Sequence, residues 1–188
     1  MLESKRLKFV AYEKEDLALD EKWMTSADVK KFFFANPYFL PEPERDEKMW
    51  DHWMEEARGK WCIYKAVVKK TGQPIGMCGF SIEDEASTIP GRYELWLYIG
   101  ETAELEKGYG TEIIQTLTRA LFDFYAAHTV MLCYHAYNIR GKRCYEKCGF
   151  KYEARLREHT FWEGSWHDME VRSITRPEYE RLKRKGVY

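Results

Sequence analysis

Lys107-Gly108-Tyr109-Gly110-Thr111 lies between an apolar run, Leu95 to Ile99, and a long amphipathic segment, Ile113 to Tyr125. In that segment Ile113, Ile114, Leu117, Leu121 and Phe124 recur at helical spacing, with Glu112, Gln115, Arg119 and Asp123 on the polar faces. The spacing predicts an amphipathic helix. A strand that feeds a helix through two glycines leaves backbone N–H groups uncovered at the helix N-terminus, where an anion such as a pyrophosphate can meet them. Short glycine turns before helices are common, so the pentapeptide alone fixes only an anion-friendly turn. It is not the dinucleotide fingerprint, because Ile113 stands where the third glycine of G-x-G-x-x-G belongs.

Working outward, Thr129 to Tyr134 reads as a short buried strand, which completes a β-α-β unit with an expected right-handed crossover. Upstream, Trp61 to Val68, a Thr71-Gly72 turn and Pro74 to Ile82 read as a hairpin, and the Pro90-Gly91 turn leads into a third strand, Arg92 to Ile99. Gly76 and Gly79 mark bulges or a close backbone approach. Leu7 to Tyr12 reads as the first strand, and Glu15 and Asp16 open a helix carrying Leu17, Leu19, Trp23 and Met24. Phe32 to Leu40, followed by Pro41 and Pro43, is read either as a core plug and turn or as one wall of a substrate cleft. Glu44 to Arg58 is expected to be helical, with Met49, Trp50, Trp53 and Met54 as its apolar face.

Beyond the β-α-β unit, Asn138 stands at a helix start, and Arg140 to Lys147 forms a short helix closed by Gly149. Phe150 to Phe161 and Trp166 to Ile174, joined by Glu163-Gly164-Ser165, form a closing hairpin. The charged tail after Pro177 is expected to be a solvated helical cap. These elements predict one α/β (α+β) domain over 1–188, with a mixed, mostly antiparallel sheet flanked by helices.

The formal net charge of -1 argues against bulk nucleic-acid binding. That average hides an asymmetry. Seven acids (Glu83, Asp84, Glu85, Glu94, Glu101, Glu104, Glu106) face one base, Arg92, between Glu83 and Glu106. Seven bases (Arg140, Lys142, Arg143, Lys147, Lys151, Arg155, Arg157) face three acids between Tyr134 and Glu158. If these regions meet across a cleft, one wall attracts cations and the other anions. Five cysteines without a C-x-x-C pair fit reduced thiols, and no signal peptide or membrane-length apolar run is present, so a cytoplasmic protein is expected. The five histidines make no H-x-x-x-H or Cys/His cluster, so no metal is expected.

The first block, Lys107 to Glu112, stands about 30 residues from a second, Asn138-Ile139-Arg140-Gly141-Lys142-Arg143-Cys144-Tyr145-Glu146-Lys147-Cys148-Gly149-Phe150. The ordered pair resembles the GNAT N-acetyltransferases, in particular the branch of the ribosomal-protein N-terminal (RimJ/RimL-like) and spermidine acetyltransferases. Leu105 departs from the family's frequent Gln or Arg, and Gly141 from its small Ser or Ala. The resemblance implies acetyl transfer from acetyl-CoA to a primary amine on a small molecule, a polyamine or a protein N-terminus. It also implies a homodimer.

In such a site Lys107, Gly108, Tyr109, Gly110 and Thr111 would hold the diphosphate with their amides. Leu97 and Ile99, on a strand splayed from its neighbour, would pair the pantetheine arm, with backbone N–H near Ile99 available to an oxyanion. Asn138 would offer its amide to the pantetheine, cap the short helix, or do both. Arg143, in the basic run Arg140-Lys142-Arg143, would meet the 3′-phosphate, or the run is a solvated helix face. Tyr145 is the expected general acid, a phenol that stays protonated at neutral pH. Glu94 is the first candidate base, with His135 and His159 behind it, and water remains an alternative. Cys144 and Cys148 are read as packing. The rival readings are a non-catalytic acyl-CoA-binding module and a nucleotide-phosphate binder, the latter disfavoured because no Gly-Lys-Ser/Thr is present.

Overall fold

Runs of strands are separated by helices along the described chain. The computed structural model describes residues 2–33, 61–82 and 91–188. Eight strands, β1 (Leu2–Glu3), β2 (Leu7–Ala11), β3 (Trp61–Val68), β4 (Pro74–Ile82), β5 (Arg92–Ile99), β6 (Thr129–His135), β7 (Lys151–Trp162) and β8 (Ser165–Thr175), form one sheet. Its order is β1-β2-β3-β4-β5-β6-β8-β7. Every pairing is antiparallel except that of β5 with β6. The helices are α1 (Leu17–Met24), α2 (Ala27–Phe33), α3 (Tyr109–Phe124), α4 (Ile139–Lys147) and α5 (Arg176–Arg184).

The sheet buries both faces around its middle strands. On one side Leu95 and Phe80 pack with Ile113, Ile114, Leu117 and Leu121 of α3. Each such side chain contributes roughly 1.5–3 kcal/mol on burial, whereas Gly108, the N-cap of α3, offers no side-chain cap. Packing therefore holds α3 in place. On the other side Trp23 and Met24 of α1 and Val29 of α2 pack on Met77 and Tyr98. Gly100 lets this layer close: a Cβ there would stand 2.1 Å from the Trp23 ring.

Three expectations are amended. The helix after the glycine loop begins at Tyr109, so Gly110 and Thr111 form its first turn, and Gly108 takes the left-handed backbone at φ 82° as N-cap. Of Phe32 to Leu40, read as a core plug and turn or as a cleft wall, Phe32 and Phe33 end a helix, Ala27–Phe33, and Phe32 lines the cleft described below; residues 34–40 lie outside the described residues. The tail helix is not a solvated cap: Tyr179 is fully buried and stacks on Phe122 with ring centroids 4.5 Å apart. The reciprocal Thr175 and Glu178 capping box starts that helix. The Gly76 position is a close backbone approach, since a Cβ would lie 2.1 Å from the Tyr98 carbonyl oxygen. The helix expected over Glu44 to Arg58 and the acids Glu83 to Glu85 lie outside the described residues.

Candidate active site

The parallel pairing of β5 with β6 covers only Arg92 with Thr129, Tyr93 with Val130 and Glu94 with Met131. Beyond Glu94 the two strands run on, to Ile99 and His135, without pairing. A split therefore opens inside the sheet. The Gly100 N–H donates to the Ile75 carbonyl on β4 at 2.8 Å. Amides alternate sides along a strand, so those of Ile99 and Leu97 face the split, where no strand among the described residues meets them.

A cleft of about 980 Å³ occupies the split, lined by β5, the first turn of α3, Cys133 and Tyr134 of β6, and α4. Leu97, Ile99, Gly108, Tyr109, Gly110, Thr111, Asn138, Arg143 and Tyr145 all line it. Two expected residues are not part of its lining. Glu94 sits at the root of the split, on the face of β5 opposite Leu95. Lys107 turns its ammonium to Glu104 at 3.0 Å.

A side chain whose local sequence carries no signal fastens the glycine loop. The Arg6 guanidinium donates to the Lys107 carbonyl at 2.9 Å and to Glu112 at 2.6 Å, and it lies 4.3 Å over the Tyr109 ring. Glu112 also accepts from the Ser4 hydroxyl and the Arg6 amide, both at 2.7 Å. Burial raises the Glu112 pKa, but these bonds outweigh it and the net shift is downward. The turn between β1 and β2 thus holds the start of α3.

Asn138 performs its capping role: its Oδ1 accepts from the Gly141 N–H at 2.9 Å. Gly141 has a reason of its own, because a Cβ there would lie 2.9 Å from Asn138 Nδ2. Tyr145 is 8% exposed and its ring lies 5.2 Å from that of Tyr134. Burial pushes its phenol above the ordinary value. Behind it Tyr134 donates to Glu170, Arg172 donates to the Tyr134 hydroxyl at 2.8 Å, and Arg172 reaches Glu146 at 2.7 Å. Burial, followed by the Glu170 bond, raises the Tyr134 pKa to about 12. This network fixes the tyrosine pair from the sheet side. Its sequence signal is the charged residues Glu170 and Arg172 at alternate positions of β8.

Of the charge asymmetry in the sequence the cleft carries a part: Glu104 and Glu106 stand on the loop wall, and Arg140, Arg143 and Lys147 stand on α4 together with the acid Glu146, while Glu94 and Glu101 are not in the lining. The alternative bases are elsewhere: neither His135 nor His159 lines the cleft. His135 is buried, within 3.2 Å of Thr160 Oγ1 and stacked on Tyr137. Burial, with the nearby charges of His167 and His159, lowers its pKa to about 4. Among the described residues no cluster of His, Cys, Asp or Glu is arranged to hold a metal ion. No helix among them is long and apolar enough to cross a membrane.

Residues 6–151 match the family model for the GNAT acetyltransferase domain. The chain belongs to the GNAT acetyltransferase family. With that membership comes acyl transfer that draws on acetyl-CoA. Among solved structures, spermidine N-acetyltransferase from Vibrio cholerae in complex with CoA and spermine is similar at a TM-score of 0.78 and 19% identity, over 94% of this chain and 99% of that one. The aminoglycoside acetyltransferase AAC(6′)-Ib in complex with coenzyme A and kanamycin is similar at a TM-score of 0.70 and 21% identity, over 94% of this chain and 99% of that one. At these identities the likeness is one of fold, and it includes the mixed, mostly antiparallel sheet.

Proposed function

We propose that this GNAT acetyltransferase transfers the acetyl group to a primary amine, and that the amine belongs to a small molecule, polyamines included, or to a protein N-terminus. The observation that carries the reading is the single cleft in which the split strand edge, the Gly108 loop and Tyr145 meet. Two similar structures hold amine-bearing small molecules, spermine and kanamycin, which supports a small-molecule amine. Five free cysteines support a cytoplasmic location.

The residues fit acetyl-CoA. The first turn of α3 offers uncovered N–H groups and the positive end of a helix to a diphosphate. The unpaired Leu97 and Ile99 amides offer a strand edge to an amide-bearing arm. The coenzyme, when bound, supplies an activated acetyl thioester. Tyr145, kept protonated by burial, holds a hydrogen-bond donor in the cleft wall for a departing thiolate, and none of the described residues accepts that proton in its place. Arg143 offers positive charge on α4 for a coenzyme phosphate. Asn138 caps the N-terminus of α4, the helix that carries Tyr145 in its last turn, and its amide NH2 is its remaining donor toward the coenzyme arm. Glu94, at the root of the split, takes the proton of the incoming ammonium directly or through water.

The experiment is acetyl-CoA titration followed by an amine panel with detection of free CoA. Saturating ligand at 100 times Kd stabilises by about 2.7 kcal/mol. Absence of any thermal shift with acetyl-CoA refutes the coenzyme site. Binding without CoA release across polyamines, aminoglycosides and N-terminal peptides refutes the acceptor class.

A further inference from the structure

The C-terminal end of α2 is held from the β6 side of the split. Tyr137, in the turn between β6 and α4, donates its hydroxyl to the Lys31 carbonyl at 2.6 Å. Lys31 stands in the last turn of α2, where carbonyls have no partner within the helix. The Tyr137 ring lies 5.8 Å from the Phe32 ring, and the Arg140 guanidinium lies 5.6 Å from that ring on the same helix end. With only seven residues, α2 depends on such tertiary contacts for its place.

Tyr137 is itself firmly seated. Its ring stacks on His135, with centroids 5.2 Å apart and planes within 5° of parallel, and meets His167 edge-on at 4.9 Å. His135 in turn is within 3.2 Å of Thr160 Oγ1, and His167 Nε2 is 3.2 Å from the Trp162 carbonyl oxygen. Burial, followed by the charge of Glu163, raises the Tyr137 phenol to about 12, so it stays a donor at neutral pH. Tyr137 therefore carries the rigidity of β6 and the β7–β8 hairpin across to α2.

What α2 carries gives this bond its consequence. Asp28, Val29 and Phe32 line the cleft. Asp28 and Phe32 are one helical turn apart and share a face, while Val29 is buried in the apolar layer with Met77 and Tyr98. Val29 thus anchors the first half of the helix and Tyr137 the second, and the direction in which Asp28 and Phe32 project depends on both anchors. Asp28 offers a charge opposite to that of an ammonium, and Phe32 an apolar surface for the carbons that carry it. We propose that Tyr137 is a positioning residue for the acceptor: by holding the end of α2, it keeps the Asp28 carboxylate and the Phe32 ring turned toward the amine that enters the cleft. The proposal rests on the reading of the protein as an amine acetyltransferase, and it assigns acceptor recognition to a wall separate from the glycine loop on α3.

Tyr137→Phe removes the hydroxyl alone, and hydrogen exchange read by peptide mass spectrometry reports the result without any ligand. Exchange in the α2 peptide should speed up about fivefold, as the loss of one hydrogen bond requires, while the α3 peptide keeps its rate. Unchanged exchange in α2 overturns the proposal at its first step.

Tyr137→Ala removes the ring as well. With the best substrate from the panel of polyamines, aminoglycosides and N-terminal peptides, KM for the amine should rise at least about tenfold, while kcat and the acetyl-CoA Kd stay within about twofold. Because Tyr137 acts through α2, its effect on KM should be largely lost in an Asp28→Asn background. An unchanged KM, or a loss of acetyl-CoA affinity equal to the rise in KM, overturns the acceptor role. If no amine in the panel is acetylated, the acceptor class of the proposed function fails and the acceptor role with it, while the exchange rates still decide whether Tyr137 holds α2.

Discussion

Replacing Glu112 with alanine tests whether the turn between β1 and β2 holds the glycine loop proposed to bind the coenzyme. The carboxylate, with its side chain 16% exposed, accepts from the Ser4 hydroxyl, the Arg6 amide and the Arg6 guanidinium at 2.6–2.7 Å. The guanidinium is 41% exposed, so the ion pair as such contributes about 0–1 kcal/mol. The two sheltered bonds to an ionised acceptor dominate, and their loss brings the total to roughly 2–3 kcal/mol. For a domain of this size that lowers Tm by roughly 5–10 °C. Glu112→Gln keeps an acceptor for Ser4 and the Arg6 amide, and its cost should be about 1 kcal/mol.

The functional part is read by calorimetric titration with acetyl-CoA. Arg6, released from Glu112, no longer holds the Lys107 carbonyl and the Tyr109 ring in fixed positions, and Kd should rise about tenfold, or 1.4 kcal/mol. The pH dependence has a definite sign. Glu112 is lowered in the folded protein from its ordinary 4.5, so its stabilisation is complete above that value and is lost as pH falls through the lower folded value. Glu112→Gln should remove this component of acid sensitivity. An alanine variant with unchanged Tm and Kd refutes the reasoning. A lowered Tm with an unchanged Kd restricts the role of Glu112 to fastening the β1–β2 turn.

Tyr145→Phe should lower kcat by about 10²–10⁴ with little change in acetyl-CoA affinity or Tm, since none of the described residues hydrogen-bonds its hydroxyl; an unchanged kcat with the amine identified by the panel removes Tyr145 from the chemistry. His135, held at about 4 against an ordinary 6.5, contributes stability that is complete above the upper value and fades as pH falls through the lower one. Denaturant midpoints at neutral and acidic pH should therefore converge in His135→Asn relative to the parent, and an identical pH slope in both proteins contradicts this. Gly100→Ala forces a methyl group to within 2.1 Å of the Trp23 ring; overpacking of this kind typically costs about 1–3 kcal/mol, measurable by chemical denaturation, and a variant as stable as the parent would show that α1 can yield.

The elements legible in the sequence are those whose cause is local. The periodicity of Ile113 to Phe124 marks the α3 face, alternation and turn residues mark the strands, and Asn138 three residues before Gly141 marks a cap that the structure forms. What escaped depends on distance along the chain. Nothing near Arg6 indicates that it will meet Lys107 and Glu112, 101 and 106 residues away. Tyr179 looks like part of a charged tail until Phe122, 57 positions earlier, stacks on it. The helix α2 was hidden by its own phenylalanines, since an aromatic run before prolines signals a loop as strongly as Ser26 and Asp28 signal a helix start.

The split between β5 and β6 explains why one strand can serve both sides of a transfer reaction. Up to Glu94 the edge of β5 is covered by β6, and its backbone has no function beyond the sheet. Past Glu94 the backbone edge is exposed within the cleft, while the side chains still alternate between two packed layers. Leu95, Leu97 and Ile99 face α3, whose N-terminus carries the glycine loop. Trp96 and Tyr98 face α1 and α2, where Asp28 and Phe32 close the cleft from the opposite side. A coenzyme running from the glycine loop along the strand edge would present its far end between these layers. Among the described residues, α2 brings an acid, Asp28, to the cleft, and Glu94 stands at the root of the split, an arrangement that would suit the incoming ammonium of the proposed function.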